Sequence, residues 1–456
     1  MSVLSGPEGP FSELSRHRVR RVRPALKAIV HNTIKAAQKN AKPYQLRSVK
    51  EMRDTSILAD LAIFGGKPAF AEKLHVGRPN IGDRARLVER FNNILDTKWL
   101  SNMGPYEREF EQRLADMIGT KHCIAMCNAT VAMEIAVRAL GLTGEVIVPS
   151  FTFIATAHAL HWQQITPVFC DIDPKTHNID PQRIEELITP RTTGIFPVHL
   201  WGRACDTDAI AEIAARRNLK VLYDAAHAFG CSHAGRTIGG FGECEVFSFH
   251  ATKVINSFEG GAVVTDDAEL ADRMRLMRNF GFSDYDKVIH LGINGKMTEV
   301  SAAMGLTSLD AIAEIVAVNR RNWEAYRESF MALRGISLIE YDPTEENNYH
   351  YVVIEVDPET APLSRDELLA VLHAENVLAR RYFWPGCHRM EPYRSLYPNA
   401  RVFLPQTERV AAQVMTLPTG QAITSEIIRV ICEIIGSAFE NAGEIRRMLA
   451  KKPAGQ

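Results

Sequence analysis

The chain has 456 residues and a mass of 50.9 kDa, and is 46% hydrophobic and 23% charged. That composition excludes a fibrous or largely disordered protein, and the length suffices for two domains. No window supplies the roughly eighteen consecutive apolar residues of a single spanning helix.

Charge is unevenly distributed. Residues 1–53 hold twelve Lys/Arg and three acids, a net of +9, so the remainder carries −10 of the overall −1. The eight cysteines (123, 127, 170, 205, 231, 244, 387 and 432) are scattered without a C-x-x-C pair. Cys123 and Cys127 lack a second pair at zinc-ligand spacing, so no metal site is expected, and free thiols in a reducing cytoplasm are.

In chain order, residues 1–55 read as a basic extension. Val19, Val22, Leu26, Ile29 and Ile34 recur near helical spacing between Arg and Lys. Either a basic amphipathic helix making weak contact with an anionic membrane surface or a solvated tail is consistent with that pattern. No apolar stretch follows the basic residues, so a secretory signal is not expected. Basic residues without an accompanying aromatic platform give no nucleic-acid site.

From about residue 105 to 310, short apolar runs alternate with amphipathic segments. Strands are expected at His122–Met126, Glu145–Ser150, Thr166–Ile172, Thr193–Leu200, Lys220–Ala225, Cys244–Phe249 and Gly261–Asp266. Helices such as Thr130–Leu140 and Thr207–Arg217 lie between them. Nearly continuous apolar strands separated by helices indicate an α/β fold, a mostly parallel sheet covered on both faces. A long helix, Ala311–Phe330, leads to a strand at Tyr349–Val356, a helix at Arg365–Glu375 and a closing helix at Ser425–Ala442, the makings of a smaller α+β domain. The expected boundaries are 1–55, 56–315 for the large domain, 316–446 for the small one and 447–456 for a tail.

Ligands of open α/β sheets gather outside the carboxyl ends of the strands. Three such ends carry chemistry. Cys127-Asn128-Ala129-Thr130 opens a helix and either caps it through Asn128 or cradles a phosphate on free N–H groups. Asp224 ends a strand as a helix cap or as the partner of a protonated ring nitrogen. Lys253, in His250-Ala251-Thr252-Lys253, is a solvated lysine or an amine desolvated to form a Schiff base. Downstream, Glu259-Gly260-Gly261-Ala262 re-enters a strand through a tight turn. Together, phosphate cradle, carboxylate and lysine meet the needs of pyridoxal 5′-phosphate (PLP).

With Trp99-Leu100-Ser101-Asn102, Pro149-Ser150-Phe151-Thr152-Phe153, Val198-His199-Leu200-Trp201-Gly202, Ser248-Phe249-His250-Ala251-Thr252-Lys253 and Lys296-Met297-Thr298-Glu299, the chain resembles the DegT/DnrJ/EryC1-type sugar aminotransferases. The similarity runs from about Phe64 to Ala442. It implies the aspartate-aminotransferase fold (PLP fold type I), a seven-stranded large domain, and a homodimer with shared active sites. It further implies Lys253 as Schiff-base lysine, Asp224 as ring-nitrogen partner, and Ala129, Thr130 and Ser248 as phosphate ligands. Phe153 would stack on the cofactor, His227 would stand where most members have glutamine, and Asn294 would reach the phosphate of the second subunit. Lys296 replaces the usual arginine, which removes its bidentate fork.

Substrate positions carried over are Ser101, Asn102, His199, Trp201, Lys296, Arg381 and Phe383. His227, Lys296 and Phe383-Trp384-Pro385-Gly386-Cys387-His388 look most like the dTDP-4-amino-4,6-dideoxy-D-glucose transaminases of desosamine-type routes. L-glutamate would then be the donor, leaving 2-oxoglutarate, and dTDP-4-keto-6-deoxy-D-glucose the acceptor. The alternatives are amination at C3, a UDP- or GDP-linked keto sugar, or a non-catalytic regulator. A histidine at Lys253 would mark the sugar dehydratases of this fold, and the lysine argues against dehydration.

Overall fold

The computed structural model describes residues 61–451. The chain divides into two units, Met1–Pro43 and Tyr44–Gln456. The first lies outside the described residues, and with it the expected stripe from Val19 to Ile34.

Seven strands form the main sheet: β1 (His122–Met126), β2 (Glu145–Pro149), β3 (Thr166–Cys170), β4 (Thr192–Ile195), β5 (Lys220–Asp224), β6 (Cys244–Ser248) and β7 (Gly261–Thr265). Their spatial order is β1-β7-β6-β5-β4-β2-β3. Only β7 runs against the others, pairing antiparallel with both β1 and β6. The expected mostly parallel sheet is therefore present, with β4 ending at Ile195 rather than at Leu200. Pro197, two residues on, cannot donate to a ladder, and only Val198 bridges back to Asp224.

Alternation along each strand sends side chains into two separate cores. Cys123 and Ala125 of β1 face one core, with Phe110 and Leu114 of α1 (Pro105–Ile118), Ile210 and Ile213 of α4 (Thr207–Arg217) and Leu306 of α6 (Glu299–Asp310). Ile124 and Met126 face the other, with Met133 and Ile135 of α2 (Ala129–Ala139), Leu160 of α3 (Ile154–His161) and Met274 of α5 (Ala268–Met277). Helix α6 had no counterpart among the expected elements. Ala302–Leu309 is buried on every side, so no amphipathic period marks it.

Beyond it, α7 (Ile312–Phe330) leads to a three-stranded antiparallel sheet of β8 (Ile336–Leu338), β9 (Val352–Val356) and β10 (Val414–Leu417). Helices α8 (Arg365–Ala374), α9 (Pro405–Gln413), α10 (Ser425–Glu440) and α11 (Ala442–Ala450) complete this part.

Two expected boundaries move. Leu61, Ile63, Phe70 and Leu74 pack in the core of the C-terminal layer, among Val352, Leu368 and Ile431, and not in the large domain. Leu74–His75 pairs in parallel with Val377–Leu378, and Glu375 accepts the N–H groups of Ala62 and Ala69, each at 2.7 Å. At the other end the boundary after 446 cuts α11, whose Ile445 is fully buried. No single described helix is long and apolar enough to cross a membrane.

Candidate active site

The turn after β1 opens α2. Asn128 caps that helix by accepting the Val131 N–H at 2.9 Å, which leaves the N–H groups of Ala129 and Thr130 without intrahelical acceptors. Of the two sequence alternatives the cap is present, and it leaves those two N–H groups open. Strand β7 runs hard against it. A Cβ on Gly261 would lie 2.5 Å from Ala129 N and 2.6 Å from its Cα, so only glycine admits this approach. The Glu259-Gly260-Gly261 signal reports close packing at Gly261, not a left-handed turn. Ser248, at the end of β6, is half-buried and its hydroxyl accepts the His250 N–H at 3.4 Å.

Asp224, at the end of β5, is 5% exposed. Its Oδ1 accepts the Ala226 N–H at 3.0 Å and its Oδ2 the Thr156 hydroxyl at 2.9 Å. Burial pushes its pKa above the usual carboxylate value, which is the cost an adjacent cation would offset. Lys253 donates to the Tyr351 hydroxyl at 3.3 Å. Desolvation lowers its pKa to about 8, against the opposing pull of Asp224. A fraction of the amine is thereby neutral near physiological pH, as a nucleophile and proton carrier requires.

His227 is buried, and burial, with Lys253 and His350 adding, drives its pKa far below the ordinary imidazole value. Its Nδ1 accepts the Trp201 N–H at 3.3 Å, so the neutral ring carries its proton on Nε2. The ring lies against Trp201, Phe383 and Tyr351, with centroids 5.7, 5.9 and 4.3 Å away. His350 donates from Nε2 to Thr252 O at 2.8 Å, and burial lowers its pKa to about 4.

Phe153 is 58% exposed at the N-terminus of α3. Arg381 is half-buried, with its guanidinium 4.0 Å over the Trp384 ring and 3.3 Å from Asp366. Ser101 and Asn102 lie on a loop before α1 where Trp99 Nε1 donates to Asn102 O at 3.0 Å. Lys296 holds its amine 4.4 Å over Phe280, and Asn294 is exposed on the same segment.

His199 and Trp201 require correction. Both are sealed from solvent at 0% exposure, so neither is placed to touch a substrate. His199 stacks on Tyr223 at 4.6 Å and its N–H bonds Asp224 O at 2.9 Å; it braces the strand end that presents Asp224. Trp201 stacks on Phe383 at 5.4 Å and ties its Nε1 to His177 at 3.2 Å. Sequence reasoning missed Tyr351 and Thr156. Tyr351 falls inside an expected strand and Thr156 inside a small-residue helix, and neither environment marks a polar partner.

An open helix N-terminus, a buried carboxylate and a desolvated lysine beyond the carboxyl ends of β1, β5 and β6 fit a phosphate, a cationic ring nitrogen and an aldehyde carbon respectively. On such a sheet they define an aminotransferase of PLP fold type I. The chain belongs to the DegT/DnrJ/EryC1/StrS aminotransferase family, whose model matches residues 82–436. It is 39% identical over 369 residues to a dTDP-4-amino-4,6-dideoxy-D-glucose transaminase of Shigella dysenteriae, covering 81% of this chain and 98% of that one. A GDP-perosamine synthase of Caulobacter vibrioides is 37% identical over 345 residues, covering 75% and 92%. Among solved structures, DesI in the presence of its TDP-sugar product superposes with a TM-score of 0.82 at 51% identity, over 87% of this chain and 99% of that one.

Proposed function

We propose that this aminotransferase works in the cytoplasm with PLP, moving the amino group of L-glutamate to C4 of a nucleotide-linked 4-keto-6-deoxysugar, dTDP-4-keto-6-deoxy-D-glucose. The carrying observation is the desolvated Lys253 amine, its pKa lowered to about 8, on the same sheet edge as buried Asp224. The names of the Shigella relative and of DesI support the dTDP-linked acceptor. PLP, when bound, supplies an electron sink and a carbon that carries the amino group between the two substrates.

The chain's own groups do the rest. Ala129 and Thr130 offer N–H groups, and Ser248 a hydroxyl, to the phosphate. Asp224 keeps the ring nitrogen protonated, and His227 has its Nε2–H to donate to the ring oxygen. Phe153 covers the ring. Neutral Lys253 takes the proton from Cα of glutamate and later delivers one to C4 of the sugar. Ser101, Asn102, Lys296, Arg381 and Phe383 face the substrates.

Pure enzyme with glutamate and a panel of dTDP-, UDP- and GDP-linked keto sugars tests this reading. We expect a C4-amino product from the dTDP-linked sugar, and at least ~10³-fold less from Lys253→Ala. A C3-amino product, or turnover confined to another nucleotide, would redirect the assignment.

We further propose a homodimer whose sites are shared through Asn294. Trp99, Leu100, Phe280, Leu291 and Ile293 are all exposed around that segment, apolar surface that a second copy would cover. Hybrids of Lys253→Ala with Asn294→Ala subunits would then recover activity. Well-formed hybrids that stay inactive would overturn the sharing.

A further inference from the structure

Two stretches prominent in the sequence, Pro149–Phe153 and Phe383–His388, meet in a buried polar relay that the chemistry above leaves unused. Ser150 and His388, 238 residues apart, are 0% and 2% exposed. Ser150 Oγ lies 2.7 Å from His388 Nδ1 and accepts the His388 N–H at 3.0 Å. His388 Nε2 lies 2.7 Å from Glu408 Oε1, which Arg389 Nε also reaches at 2.6 Å. A carboxylate only accepts, so Nε2 carries the proton. Desolvation keeps the ring from protonating further, and Nδ1 therefore accepts from the Ser150 hydroxyl. The order is that of a hydrolytic triad, but the serine is sealed and its oxygen is occupied on both sides, so it is no nucleophile.

The relay has backbone support. Cys387 N–H donates to Ser150 O at 2.9 Å and Cys387 Sγ to Thr152 O at 3.4 Å. Gly386 sits at φ +91°, and a Cβ there would stand 3.0 Å from His388 Cε1 and Nδ1, so the loop turns back only with glycine. On the other side, α9, which carries Glu408, starts on Asp171 at the end of β3, whose carboxylate accepts the N–H groups of Gln406 and Thr407 at 2.9 and 2.8 Å. Beyond its pairing with Thr416 of β10 at Arg380, the 380s loop is thus tied on both sides of the relay to carboxyl ends of the large sheet.

What the loop carries is one wall of a cleft of about 360 Å³ that Thr152 and Phe153 also line. On that wall the Arg380 guanidinium lies 4.5 Å over Tyr382 and that of Arg381 4.0 Å over Trp384. Stacked cations of this kind suit a diphosphate and a planar base. We infer that Ser150, His388 and Glu408 are positioning residues that hold the Arg380–Trp384 wall in register with Phe153 and set the affinity for the nucleotide sugar, without contacting the reacting atoms. This rests on the proposal that Arg381 and Phe383 face that substrate.

Steady-state kinetics of the holoenzyme with dTDP-4-keto-6-deoxy-D-glucose and glutamate tests it in Ser150→Ala, Glu408→Ala and Glu408→Gln. Loss of a buried hydrogen bond that locates the wall should raise KM for the nucleotide sugar about tenfold in the two alanine variants, with KM for glutamate and kcat changed less than about twofold. Glu408→Gln retains an acceptor for Nε2–H and should restore the sugar KM to near wild type. Should Ser150→Ala fail to fold, the Glu408 pair, half-buried at the relay's outer end, reads the same effect. Unchanged sugar KM in the alanine variants, equal shifts for both substrates, or a Glu408→Gln as impaired as Glu408→Ala would overturn the inference. Wild-type enzyme inert toward the sugar would instead overturn the functional reading itself.

Discussion

Lys253 and Asp224 act on each other's protonation, and that coupling gives the sharpest residue-scale test. Desolvation lowers the Lys253 pKa to about 8, while the charge of Asp224 opposes the fall. Removing that charge must let the pKa drop further. The apoenzyme should therefore capture PLP faster as pH rises through about 8, where the amine loses its proton, and Asp224→Asn should shift that midpoint to lower pH. Absorbance of the captured cofactor, followed over roughly pH 6–10, reads both; a midpoint unmoved by Asp224→Asn would exclude the coupling. These two residues stood out in the sequence because each follows an apolar run read as a buried strand, and strand ends are where such sheets keep their chemistry; their roles came from the combination and the family resemblance. Tyr351 and Thr156 did not stand out, because a hydroxyl in a buried strand or helix reads as packing until its partner, 98 or 68 residues away, is known.

At the scale of elements, the approach of β7 to the start of α2 is the most constrained junction in the site. The clashing atoms opposite Gly261 are backbone, Ala129 N and Cα and Asn128 C, which cannot swing aside as a side chain would. Gly261→Ala should fold at a cost of about 1–3 kcal/mol and weaken PLP binding by displacing the N–H pair of Ala129 and Thr130. Chemical denaturation and PLP titration measure the two effects separately, and unchanged cofactor affinity would show that the turn tolerates displacement. Strands were read well from sequence because both faces of the sheet are covered, leaving long apolar runs. Helix α6 escaped for the same reason in another geometry: with Phe110 2.6 Å from the Cβ that Gly305 lacks, it is packed too closely all round to show a polar face. His199 and Trp201 were misread because a motif shows which residues travel together, and only the fold shows which of them reach the cleft.

For the whole molecule, the basic segment and the catalytic body differ in charge, and the first anchor among the described residues is Leu61. A truncation beginning near Ser56 keeps Leu61, Ile63, Phe70 and Leu74, all under 9% exposed, and should retain near-wild-type kinetics and oligomeric state. Cutting at Gly77 removes those four side chains from the C-terminal core and should lower stability by several kcal/mol. Equal thermal stability of the two truncations would show that this strap contributes nothing, and loss of turnover on cutting at Ser56 would show that the basic segment serves the body.

That strap also imposes an order of events during synthesis. Ala62 finds its acceptor on Glu375, 313 residues later, and Leu74 finds its strand partner at Val377. At about 5–20 residues per second, roughly 15–60 s pass between the two emerging from the ribosome. Once Thr265 has emerged, the large sheet can assemble within that interval, while Leu61–His75 waits as an unpaired apolar thread. The first described part of the body to be translated is thus among the last to be housed, and a chaperone meeting this nascent chain would find a long-lived target there.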